Sequence, residues 1–208
     1  VKMAEVEAHQ LDWDHLLRPL WGQATRLEQQ AYAALEAVEK RAAKFDQTTT
    51  SKRLEHHLAA WERLSAEAEE ETSRYDDFFQ IAQVVDAQFA LIDLQSSQLR
   101  DPIAGAECLR DLGKQLQGWT GRIYEKLSSN LISWAEGLFR YQSVLSQALS
   151  PLIDQWGAPA IRALCRIWQI EADEKRHPLP LVERQTRQVL WGDSLDEAAS
   201  LLGPEQPW

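Results

Sequence analysis

Apolar residues recur every three or four positions along most of the chain, and almost nowhere do they alternate. Leu20, Ala24, Leu27, Ala31, Leu35, Val38, Ala42 and Phe45 form one such stripe, the spacing that gathers side chains on a single face of an α-helix. Pro19 is expected in the first turn of that helix, where its missing N–H leaves no bond unmade. "DQTTTS" (46–51) interrupts the pattern with residues that prefer turns and caps. A second stripe runs through Leu54, Leu58, Trp61, Ser65, Ala68, Thr72, Tyr75, Phe79, Ala82, Asp86 or Val85, and Phe89. Its alternating spacing over about five heptads is that of a coiled coil, and the short turn before it favours an antiparallel hairpin.

"SSQLRDPIAGAE" (96–107) is the clearest internal boundary. Asp101 reads as an N-cap and Pro102 as the first helical residue, opening a helix that ends near Gly118. Trp119, Ile123, Leu127, Leu131, Trp134, Leu138, Tyr141, Leu145, Leu149 and Leu152 predict one further long helix, with Pro151 able to kink or end it and Gly157 as its C-cap. A helix from Pro159 to His177-Pro178, a short one in "PLVERQTRQVLWG", and a last one opened by the capping box Ser194-Leu195-Asp196-Glu197 and closed by Gly203-Pro204 complete the reading. The predicted fold is all-α. A long antiparallel coiled-coil hairpin over residues 1–100 leads into a helical bundle over 101–208, packed as one continuous unit.

Charge and composition narrow the function classes. The 208 residues carry a net charge of −10, which disfavours adventitious binding to nucleic acid or anionic membrane. Residues 1–100 hold 18 acids against 11 bases, so the acidity sits mostly in the hairpin half. No apolar run approaches the ~20 residues of a membrane span, and no signal-peptide centre stands at the start. Cys108 and Cys165 form no paired motif and read as reduced core thiols of a cytoplasmic protein. A start at Val1 and an end at Trp208 fit a domain excised from something longer.

Candidate chemistry is sparse. "SRYDDFFQIAQVVDAQFALIDLQ" (73–95) places Asp76, Asp77, Asp86 and Asp93 among apolar residues. A dinuclear carboxylate centre wants Glu-x-x-His pairs on facing helices. Glu174-Lys175-Arg176-His177 stands alone, so the four aspartates read as the solvated side of a helix. His56 and His57 flank the Leu54/Leu58 face rather than converge. No glycine-rich phosphate loop and no Gly-x-Ser-x-Gly elbow occurs. No metal, cofactor or catalytic set is expected. The acidic run "AEAEEE" (66–71) reads as a solvated face. The most basic neighbourhood is Arg162, Arg166, Lys175, Arg176, Arg184 and Arg187, with Trp168 and Trp191 nearby. Arginines among aromatics contact nucleic acid, although Glu171, Asp173, Glu174 and Glu183 offer them helical ion pairs instead.

The long helices, the Arg74-Tyr75-Asp76 turn, "FALIDLQSSQLRDP" and "CRIWQIEADEKRH" together resemble the helical insertion of certain bacterial DDE transposases. In those enzymes an RNase-H-like core is interrupted by an α-helical segment rich in Trp, Arg and Glu. The likeness spans residues 20 to 190 or so and rests on pattern. It implies a non-catalytic module serving transposase assembly or DNA positioning, and the basic neighbourhood supplies Arg162, Arg166, Arg176, Arg184 and Arg187 as the candidate DNA contacts. The family's catalytic acids belong to a sheet-containing core, so none is carried over here. The alternative is a helical scaffold or adaptor that binds a protein partner, or a second copy, through its hairpin.

Overall fold

In the computed structural model, residues 13–44, 51–176, 193, 195–197 and 200 are described. The described residues are all-α apart from one very small sheet: α1 (Asp14–Ala42), α2 (Ser51–Gln88), β1 (Ile92–Asp93), β2 (Gln98–Leu99), α3 (Pro102–Leu116), α4 (Arg122–Leu138), α5 (Arg140–Trp156) and α6 (Ala158–Arg176). Residues 195–197 are helical. The expected turn at 46–50, the helix in "PLVERQTRQVLWG" and the Gly203-Pro204 stop lie outside the described residues. Two compact units divide at Asp86/Ala87, where the sequence pattern placed the boundary near residue 100. The reason lies in what holds residues 87–99, described below.

The first unit is α1 with α2 up to Asp86. Trp21 meets Phe79 edge-on with ring centroids 5.6 Å apart, and the Arg41 guanidinium donates to the His56 carbonyl at 3.4 Å. Early α1 thus lies against late α2 and late α1 against early α2, which makes the pair antiparallel. The seam is not uniformly dry. α1 buries Leu16, Leu17, Leu20, Gln23, Ala24, Leu27 and Ala31, and α2 buries Ala68, Phe78, Ile81, Ala82 and Val85. Farther along, Leu35 is 43% exposed and Leu54 and Leu58 are each 46% exposed. Phe78 is fully buried and Phe79 only half-buried. Late α2 thus buries the expected Ala82 and Val85 and, beside them, Phe78 and Ile81, while Phe79 of the expected stripe meets Trp21 and stays half-buried. Pro19 is the second difference. α1 begins at Asp14, so Pro19 falls inside the helix rather than in its first turn and removes one interior hydrogen bond.

The second unit begins with the exit from α2, where every carbonyl must find a donor once the helical ladder ends. Ala87 O accepts from Ala90 N at 3.3 Å. Gln88 O and Ala90 O both accept from the Gln142 side-chain amide, at 2.9 and 3.3 Å. Phe89 O accepts from the Tyr141 hydroxyl. Leu91 O accepts from Arg100 N at 3.0 Å, and Leu91 N donates to the Gln169 side-chain oxygen at 3.0 Å. Of these five consecutive carbonyls, Ala87 O is satisfied locally, the next three by α5 and Leu91 O by Arg100 N. Each such bond adds about 1 kcal/mol net, and a buried orphan costs more. These bonds, with Phe89 stacked on Phe139 at 5.4 Å, tie residues 87–99 to the second unit.

β1 and β2 pair antiparallel, Ile92 with Leu99 and Asp93 with Gln98. Ser97 closes the turn at φ 55°, a left-handed conformation uncommon for a residue with a side chain. Asp101 caps α3 as expected, its carboxylate accepting from Ile103 N at 2.9 Å, with Pro102 next. α3 lies against α4, and Gly113 permits the close approach: a Cβ there would stand 2.7 Å from Ile132 Cγ1. Leu109 and Leu116 of α3 and Leu127, Leu131 and Leu138 of α4 form the core between them. The long helix expected through residues 119–152 is two helices, broken at Phe139 (φ −96°, ψ 5°). The break turns the buried Phe139 ring toward Phe89 and starts a new helix whose first turn carries Tyr141 and Gln142. Pro151 sits inside α5 without ending it, and Gly157 at φ 85° does end it.

Candidate functional site

The four aspartates of 73–95 do not converge. Asp76 and Asp77 are exposed on α2, and Asp86 is half-buried there. Asp93 belongs to the β-turn: its carboxylate accepts from Gln95 N at 2.9 Å and Ser96 N at 3.3 Å and pairs with Arg100 at 3.6 Å. Those backbone N–H groups, more than Arg100, hold the Asp93 carboxyl below the usual carboxylate range. Among the described residues no group of three or more His, Cys, Asp or Glu is arranged to hold a metal ion. His56 is exposed and His57 half-buried, with rings 6.1 Å apart. The Cys165 thiol is 2% exposed and burial pushes its pKa up. Burial, assisted by Asp111, does the same for Cys108. A nucleophile needs the opposite shift.

The basic candidates are divided. Arg166 on α6 donates to Ser97 Oγ at 2.6 Å and so braces the β-turn from below. Arg162 lies one turn earlier, half-buried. Trp168 is 58% exposed. At about 100° per residue it stands roughly 160° around the helix from Arg166, so the two do not form an arginine–aromatic surface. Arg176 ends α6 with its side chain outside the described residues, as are Arg184 and Arg187 altogether.

A concave surface lies elsewhere, in the first unit. An open groove of about 580 Å³ runs between Leu35 and Val38 of α1 and Ser65, Ala68, Glu69, Thr72, Ser73, Asp76 and Asp77 of α2. Its origin is readable from side-chain size. The seam positions of α2 in this stretch are Ser65, Ala68 and Thr72, where neighbouring turns carry Leu, Trp, Tyr and Phe. Small side chains cannot fill the space opposite Leu35 and Val38. The Thr72 hydroxyl is turned back onto the Ala68 carbonyl at 2.7 Å, and the Ser65 hydroxyl is buried with no partner among the described residues. Glu69, Asp76 and Asp77 border the groove, and none forms an ion pair among the described residues. On the same pair of helices Tyr32 is 66% exposed, and Leu35, Leu54 and Leu58 are exposed as well.

No protein-family model, no curated protein and no solved structure matches the chain. Among the described residues no helix is long and apolar enough to cross a membrane. The site rests on its geometry.

Proposed function

We propose that the chain is a cytoplasmic, non-catalytic helical module that docks a protein partner along its hairpin. The observation that carries this reading is the exposure of seam positions. Leu35, Leu54 and Leu58 occupy the register that should be buried between two helices, yet each stands more than two-fifths exposed. Single exposed leucines are ordinary, but a run of them at seam spacing beside an open groove marks an interaction surface. The transposase resemblance, taken as assembly of a larger enzyme through this module, is the same physical act. DNA positioning has less support, because Arg166 is engaged with Ser97 and the groove border is acidic.

The test is site-directed photo-cross-linking in the native cell. A p-benzoylphenylalanine at Leu58 is expected to trap one discrete protein, identified by mass spectrometry and reconstituted from pure components. The same group at Gln115, exposed on α3, is the control. Equal capture at both positions sinks the proposal.

A further inference from the structure

We propose that the groove of α1 and α2 seats a basic amphipathic helix of the partner, its apolar face against Leu35, Val38 and Ala68 and its lysines or arginines against Glu69, Asp76 and Asp77. This deepens the docking reading above and rests on it. Three properties select the occupant. The floor is apolar and the wall of α2 is built from small residues, so there is room for side chains supplied from outside. The groove follows α2 from Ser65 to Asp77, about 18 Å at 1.5 Å per residue, which matches three to four turns of a helix. The border carries three carboxylates without ion-pair partners among the described residues.

Charge then decides among partners. Residues 62–77 hold seven acids and two bases, so a second copy of this hairpin would bring like charge to like charge. Phosphate-rich ligands and anionic lipid are repelled for the same reason. A helix with apolar anchors at i, i+3 or i+4, and i+7, flanked by Lys and Arg, is attracted by the border and fills the floor.

The experiment uses the full 208-residue chain and two fluorescein-labelled helical peptides of about 18 residues, roughly five turns. Both carry the same leucine stripe. One has Lys and Arg on its flanks, and the other has Glu there. Anisotropy is expected to show saturable binding of the basic peptide, weakening with salt, and none of the acidic one. The triple variant E69K/D76K/D77K changes three side chains at the open groove border and leaves the fold intact by circular dichroism. It is expected to weaken the basic peptide by about tenfold or more and to create affinity for the acidic one. A control reversal, E107K/E125K, on exposed positions of α3 and α4, leaves binding unchanged. Equal affinity of wild type and triple variant for the basic peptide overturns the proposal, as does failure of the basic peptide to bind. If that failure coincides with a defined cross-link at Leu58, docking stands and only the groove's occupant is wrong. If both fail, the docking reading falls as well.

Discussion

Gln142 is 0% exposed, and its side-chain amide serves two carbonyls at the end of α2, Gln88 at 2.9 Å and Ala90 at 3.3 Å. Replacing it by Leu keeps the volume and deletes the donor. Each buried carbonyl left without a partner costs about 1–3 kcal/mol, the longer bond being at the low end. Against this, Gln142 Oε1 is itself buried without a partner, so its removal returns about 1 kcal/mol. Tyr141 still covers Phe89 O. The net expectation for Gln142→Leu is a loss of about 1–3 kcal/mol, which lowers a urea midpoint by about 0.5–1.5 M at a slope of about 2 kcal/mol/M. Hydrogen exchange should accelerate over residues 88–93 before it does elsewhere. Gln142→Glu sets a carboxylate against the same carbonyls and should cost more at neutral pH. Its folded-state pKa is raised, so stability recovers as pH falls and is lost as pH rises. A Gln142→Leu protein as stable as wild type, or more so, would show that the amide is filler rather than a cap.

Four further outcomes follow from other contacts. Gly113→Ala sets a Cβ 2.7 Å from Ile132 Cγ1 and 3.1 Å from the Ser128 carbonyl, so α3 and α4 must move apart at a cost of about 1–3 kcal/mol by thermal unfolding. Gly22→Ala is its complement: nothing lies within 4 Å of the new methyl, and an exposed helical Gly→Ala change gains about 0.5–1 kcal/mol. Asp93, held below its ordinary pKa by the N–H groups of Gln95 and Ser96, supports the fold above its unfolded pKa, and that support disappears as pH falls through the lower folded value. Asp93→Asn should therefore flatten the acid side of the urea midpoint against pH, and an unchanged profile would refute the capping role. Short duplex DNA titrated at low salt should leave anisotropy unchanged, whereas binding that Arg162→Ala weakens would return DNA positioning to the lead.

The sequence carries its helices openly because helical periodicity is local. Asp101-Pro102 and Gly157 mark their helix ends for reasons a single residue supplies, a side-chain acceptor, a fixed φ and a tolerated positive φ. What stayed illegible depends on distant partners. β1 and β2 have two residues each, too few to show alternation, and are braced from α6 by Arg166 at Ser97 in the turn and Gln169 at Leu91 just before β1. The break at Phe139 has no proline, and apolar spacing continues across it. Only the clamp that Tyr141 and Gln142 make on residues 88–90 explains why a helix stops and restarts there. The groove was half legible. Ser65, Ala68 and Thr72 stand in the seam stripe, but the stripe records polarity and not volume, so the space they leave is invisible until Leu35 and Val38 are set opposite.

That space can be an imperfection of packing or a site, and one substitution separates the two. Ser65 is half-buried, lines the groove and carries a buried hydroxyl without a partner among the described residues. Ser65→Leu removes that polar atom and offers apolar surface to the floor at the seam spacing where Leu belongs. Burial of the added methyl groups should stabilise the hairpin by about 1 kcal/mol, read as a higher urea midpoint. If the groove is only a flaw, nothing else changes. If it seats a partner helix, the same leucine occupies the anchor's volume, and affinity for the basic peptide falls by about tenfold or more while stability rises. Opposite movement of stability and binding is what selection for function over fit produces. A Ser65→Leu protein that is both more stable and an undiminished binder would mean that the helix docks elsewhere.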